Sequence, residues 1–146
     1  MRKFWIAVAV SAAVFVSLSY SQDDKAQDDK AQDEKVARGK YLVEEVAKCQ
    51  DCHTPKMDNG SYIKSSWMKG ATLNLAPAVP VAGWHAAAPD VTANSALWKR
   101  WGDEGLITFL STGKTPRGGA AGAPMPTYTL KREDAEAIVA FLKTLQ

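Results

Sequence analysis

Lys48-Cys49-Gln50-Asp51-Cys52-His53-Thr54-Pro55 holds both cysteines of the chain and one of its two histidines. All the thiols fall within four residues, and an imidazole follows at once. Three chemistries use such a cluster: a redox dithiol, part of a zinc site, and covalent attachment of haem. The surrounding sequence has to distinguish them.

A redox dithiol is expected beside a βαβ pattern, and no strand-like run flanks Cys49. A structural zinc ion needs four Cys or His ligands. Beyond the cluster the chain offers only His85, and adjacent residues such as Cys52 and His53 seldom share one tetrahedral metal. A disulfide across four residues closes too short a loop to stabilise much. The spacing Cys-x-x-Cys-His instead lets both thiols add to the two vinyl groups of a haem, with the next imidazole free to bind the iron. This is the c-type attachment signature. Cys49 and Cys52 are then the covalent anchors and His53 the first axial ligand.

The N-terminus bears on the same point. Arg2 and Lys3 precede an apolar run from Phe4 to Leu18 and then Ser19-Tyr20-Ser21. This reads as a secretory signal peptide over 1–21, cleaved after Ser21. The alternative is an uncleaved anchor, although the run is short for a span of about 20 apolar residues. Export would place the thiols in an oxidising compartment, the periplasm, and thioether formation would explain why two cysteines persist there.

Residues 22–35 follow a five-residue repeat, QDDKA-QDDKA-QDEK, with 6 acids and 3 lysines. They cannot bury a core and are expected to be a flexible spacer. Residues 36–146 carry 13 basic and 10 acidic groups. A net +3 is too mild for nucleic-acid binding and allows a weakly basic docking face.

Within 36–146 the expected elements are helical. Val36, Gly39, Val43, Val46 and Ala47 form one stripe in a helix from Glu34 to Lys48. Gly39 costs such a helix about 1 kcal/mol, which suits a place where another helix comes close. The stretch 54–91 is rich in Pro, Gly, Asn and Ser and reads as loops, with one short hairpin near 71–81. Asn94 caps a short helix to Trp101. Asp103–Thr112 is a second helix, stopped by Gly113, and 114–123 is a Gly-rich loop. The last helix runs from about Lys131 to Leu145, with Ile138, Phe141, Leu142 and Leu145 on its buried face. The fold class is all-α with long Pro/Gly-rich loops, which a bound cofactor would organise.

The iron needs a second ligand or an open position. Met57 lies too near His53 to cross the haem. Met68, in a loop, is a candidate. Met125 stands in Ala123-Pro124-Met125-Pro126, where two prolines stiffen the loop that would hold a weak thioether ligand. His85 would make a bis-His iron. Trp67, Trp84, Trp98 and Trp101 read as core, with one indole N–H able to reach a haem propionate. Arg117, in the Gly-rich loop, is a candidate propionate partner.

The segments RGKYLVEEVAKCQDCHTP and GAPMPTYTLKREDAEAIVAFLKTL resemble class I c-type cytochromes of bacterial periplasms, over roughly 36–146. The second also looks like single-haem domains serving dehydrogenase electron chains. The resemblance implies a cytochrome c fold whose first and last helices cross near one covalently bound haem c. Gly39 and Tyr41 would then face Phe141 and Leu142. It also implies His53 and Met125 as axial ligands, and a backbone carbonyl accepting from the His53 ring. The implied function is one-electron transfer as a periplasmic carrier that is not itself an enzyme, with redox protein partners such as a dehydrogenase or a terminal oxidase. Alternatives are a haem subunit of a dehydrogenase complex, a haem enzyme or sensor with an open iron, and an exported thiol oxidoreductase. Membrane association is expected only with an uncleaved leader. Lys131 and Arg132 depart from the family's capping Ser/Thr and acid, so the last helix should fray at its start or use Thr129 as cap.

Overall fold

The computed structural model describes the backbone of residues 13–146 and the side chains from residue 25 onward. The leader assigned to 1–21 therefore lies outside the described side chains, and its first twelve residues outside the described backbone. Helix α1 spans Ala13–Tyr41. It includes the charged repeat, so residues 22–35 are helical rather than an irregular spacer. Their Ala, Gln, Lys and Glu content supports a helix through propensity alone, since every side chain from Lys25 to Lys35 is exposed. A Lys30–Glu34 ion pair at 3.9 Å adds little, being exposed. The chain divides into two units, Met1–Glu34 and Lys35–Gln146. The second carries the site. No helix among the described residues is long and apolar enough to cross a membrane.

After Tyr41 the helix widens into a π-turn, Leu42–Val46. The wider turn admits an extra residue and shifts the following side chains around the axis. Two expectations for this stretch are corrected. Leu42 and Val43 are buried, whereas Val46, expected in the stripe, is 57% exposed. Tyr41, expected at the helix crossing, is 53% exposed and lies under the Arg38 guanidinium. Gly39 does sit at the crossing. A methyl group there would collide with the Ala137 carbonyl and reach 2.8 Å from Phe141 Cβ. Lys35–Glu136 and Arg38–Asp134 ion pairs at 3.2 and 3.0 Å flank the contact.

A single helical turn, α2 (Gln50–His53), carries the cysteine cluster. A 3₁₀ turn at Lys64–Ser66 and two short antiparallel strands follow, β1 (Ala71–Thr72) and β2 (Ala87–Ala88). The pairing encloses the whole of 73–86, so the expected tight hairpin over 71–81 is instead a long loop closed at its base. Helix α3 (Ala96–Thr112) holds both expected helices, joined across a break at Gly102 with φ 63° and ψ −177°. Its cap is Ser95, not Asn94, through a Trp98 N–H donated to Ser95 Oγ at 3.1 Å. Gly113 ends it in the left-handed conformation, φ 71°.

Helix α4 (Arg132–Leu142) begins without a side-chain cap; Lys131, not Thr129, occupies the cap position. Glu133 and Asp134 in the first turn favour the helix dipole, and Arg132 is drawn outward to Glu104 and Glu136, at 2.9 Å each. The core joins Leu42, Val43, Leu106 and Ile107 to Ala135, Ile138, Val139, Phe141 and Leu142. One side of this core opens into a cavity.

Candidate functional site

The cavity measures about 530 Å³ and is almost wholly apolar, within the usual range of small-molecule sites, about 300–1,000 Å³. Cys49, Cys52 and His53 line one wall, with Leu97, Trp101, Leu106, Phe109, Ile138 and Leu142 around them. Cys49, Cys52 and His53 share a face because residues three and four apart on a helical turn are neighbours. Lys48, at φ 51°, turns the chain into that helix, and the Cys49 N–H returns to the Val43 carbonyl at 3.0 Å.

His53 is 5% exposed. Its Nδ1 lies 2.8 Å from the Pro89 carbonyl oxygen. A carbonyl can only accept, so Nδ1 carries the proton and Nε2 keeps its lone pair. Burial also lowers the His53 pKa, against the smaller raising effects of Pro89 and Asp90. A neutral ring with one nitrogen fixed and the other available is the state an iron ligand requires. Burial pushes the Cys49 thiol up to about 11. Thiol exchange needs a thiolate at ambient pH, so Cys49 is poorly suited to act as an exchange nucleophile.

Three of the four expected distal donors, Met68, Met125 and His85, line the cavity. Met57 is 50% exposed and outside the cavity. Met68 is fully buried and lines it. Its N–H donates to Thr54 Oγ1 at 2.9 Å and its carbonyl accepts from Val91 N–H at 3.0 Å. Those partners flank His53 and its acceptor Pro89, so the Met68 backbone is built into the His53 wall. Met125 lines the cavity from the segment between α3 and α4. His85 lines it too. The His85 N–H donates to the Ala123 carbonyl at 2.7 Å, and its ring packs on Gly122, where a methyl group would strike it.

Arg117 is not brought to the cavity. The Gly118 N–H closes a tight turn onto the Thr115 carbonyl at 2.8 Å, which leaves Arg117 at an exposed tip while Thr115 and Ala120 at its base line the wall. Trp98 spends its indole N–H on Asp103, at 2.9 Å. Trp101 lines the cavity, tilted on Phe109 with ring centroids 5.3 Å apart. Tyr128 also lines the cavity, and its hydroxyl points to the Ala47 carbonyl at 3.4 Å. Only its position three residues after Met125 hinted at this. Pro89 carried no signal, because any residue supplies a carbonyl.

An apolar cavity with two thiols and a neutral, oriented imidazole on one wall fits haem c, and a helical domain built around it is a c-type haem domain. The profile of the cytochrome c family matches residues 36–146, and the chain belongs to that family. It is 31% identical over 116 residues to the cytochrome c subunit of a quinone alcohol dehydrogenase of Gluconobacter oxydans, covering 75% of this chain and 24% of that protein. It is 35% identical over 111 residues to a dihaem c-type cytochrome of Cereibacter sphaeroides, covering 73% and 34%. It is 34% identical over 115 residues to the cytochrome subunit of fructose dehydrogenase of Gluconobacter japonicus, covering 74% and 21%. The chain thus spans about a fifth to a third of these relatives. Cytochrome c domains carry covalently bound haem c, and Cys49, Cys52 and His53 fit the attachment motif.

Proposed function

We propose that the chain is a single-haem electron-transfer protein with His53 and Met125 as axial ligands, exported to the periplasm, and that it serves a dehydrogenase. The observation that carries this reading is the shared apolar cavity, with His53 fixed on one wall and Met125 lining it from a separate segment. Haem, when bound, supplies an iron centre that gains and loses one electron. Cys49 and Cys52 would hold it, His53 Nε2 and the Met125 thioether would be the donors to its iron, and the apolar wall would keep water out. Thioether ligation raises the reduction potential and closes the iron to outside ligands, which suits a carrier that performs no bond chemistry.

The dehydrogenase reading rests on the relatives and on one feature of this chain. Residues 71–89 contain no Lys, Arg, Asp or Glu, and Leu75, Val79 and Val81 are exposed on that loop. An uncharged loop beside the cavity suits lasting contact with a partner subunit. Co-purification of a dehydrogenase from native membranes tests this part.

For the ligands, optical spectra and potentiometry of Met125→Ala and His85→Ala decide. Met125→Ala should bind carbon monoxide and lower the midpoint potential, while His85→Ala leaves both near wild type. The reverse pattern would assign His85 in place of Met125, because His85 is the other donor outside the His53 wall.

A further inference from the structure

We infer that Thr54 is a positioning residue for His53, acting through Met68 and Val91 on the carbonyl that orients the imidazole. This rests on the reading of His53 as an iron ligand. Thr54 is 1% exposed and follows His53 directly. Its Oγ1 accepts the Met68 N–H at 2.9 Å. The Met68 carbonyl accepts the Val91 N–H at 3.0 Å. Val91 stands two residues beyond Pro89, whose carbonyl accepts from His53 Nδ1 at 2.8 Å. The path leaves the His53–Thr54 dipeptide, crosses two loops and returns to the same imidazole.

Three features show that this closed path is held under constraint. Met68 adopts φ 61°, a left-handed conformation that L-residues with a Cβ avoid and that surrounding contacts must impose. Here the imposing contacts are the two bonds just named, one from the Met68 N–H to the Thr54 side chain and one to the Met68 carbonyl from the Val91 N–H. Gly70 donates its N–H to the His53 carbonyl at 2.9 Å. It also lies so close to the 88–90 backbone that an added methyl would stand 2.8 Å from the Ala88 oxygen and the Asp90 nitrogen. Finally, Asp90 Oδ1 accepts from the Thr92 N–H at 2.7 Å and the Thr92 hydroxyl at 2.8 Å, which fixes the chain just past Pro89. The two loops therefore form one frame around His53. Thr54 Oγ1 is the side-chain acceptor that ties the Met68 amide back beside His53, and a valine in its place would have the same shape but no acceptor.

The chemical consequence follows from the partner of Nδ1. A proton shared with a carbonyl makes the imidazole a stronger donor at Nε2 and so favours the oxidised metal. Loosening Pro89 weakens that donation and moves the potential upward. Thr54→Val leaves the buried Met68 N–H unsatisfied, so the frame should relax at that point.

The experiment uses the haem-loaded protein, with Thr54→Val and Thr54→Ser compared with wild type. Thr54→Val should raise the midpoint potential and speed exchange of the His53 Nδ1 proton roughly five- to tenfold, the worth of one hydrogen bond. Thr54→Ser, which keeps the acceptor, should restore both. If Thr54→Val lowers the melting temperature but leaves potential and exchange unchanged, Thr54 is merely structural and the inference is wrong. Should Thr54→Val fail to mature, wild type decides: the Met68 amide, the Val91 amide and the Nδ1 proton must share one protection, and independent protection overturns the inference. Wild-type NMR separates the two readings. Without hyperfine-shifted His53 ring signals the ligand assignment falls and takes this inference with it; with them, an unresponsive Thr54→Val overturns this inference alone.

Discussion

Two glycines show what a single residue contributes here, for opposite reasons. Gly39 has helical geometry, but a Cβ would enter the Ala137 carbonyl and approach Phe141. Gly39→Ala should therefore destabilise by overpacking, by about 3 kcal/mol, and loosen the α1–α4 crossing. Gly102 has open space around it, yet its φ of 63° and ψ of −177° belong to a region reserved for glycine. Gly102→Ala should cost about 2 kcal/mol through backbone strain alone. Denaturant midpoints of the two variants check both values. Gly39 was legible in the sequence because it interrupts an apolar stripe with no other use. Gly102 was legible only as the gap between two helical segments, and its conformation was not.

At the scale of elements, the sequence was clearest where periodicity and chemistry coincide. The attachment turn, the buried face of α4 and the stop at Gly113 follow from spacing. The π-turn did not, because one extra residue in a turn changes no composition, and it moved Val46 to the surface. The charged repeat misled in the other direction: its period of five matches no helix face, but an exposed helix needs no face. The start of α4 gives a direct test. Lys131 occupies the cap position with φ −59° and ψ 147° and no capping bond. Those angles already suit a cap whose side chain accepts from the first turn. Lys131→Asp should stabilise the domain by about 1 kcal/mol, by supplying an acceptor and by reversing an unfavourable charge at the positive end of the helix. A raised denaturant midpoint with an unchanged slope is the expected result. No change would mean that Glu133 and Asp134 already satisfy that end.

Across the whole molecule, the core and the site are one structure. Ile138 and Leu142 pack into the core and line the cavity, as does Leu106. The cofactor therefore substitutes for core side chains. This explains how the long loops of 54–91 are held in so small a domain, and why the loops were the part least legible in the sequence: their packing partner is not an amino acid. Apolar wall left without a packing partner destabilises a core, and this cavity is lined almost wholly by apolar side chains. A protein unable to retain haem should not keep this fold. Cys49→Ala with Cys52→Ala should abolish haem that survives denaturing electrophoresis, and the haem-free product should lose its cooperative thermal transition. Retained covalent haem would refute the attachment assignment. A cooperative transition in the haem-free chain would refute the claim that the cofactor is the missing part of the core, since the side chains alone would then have closed the cavity.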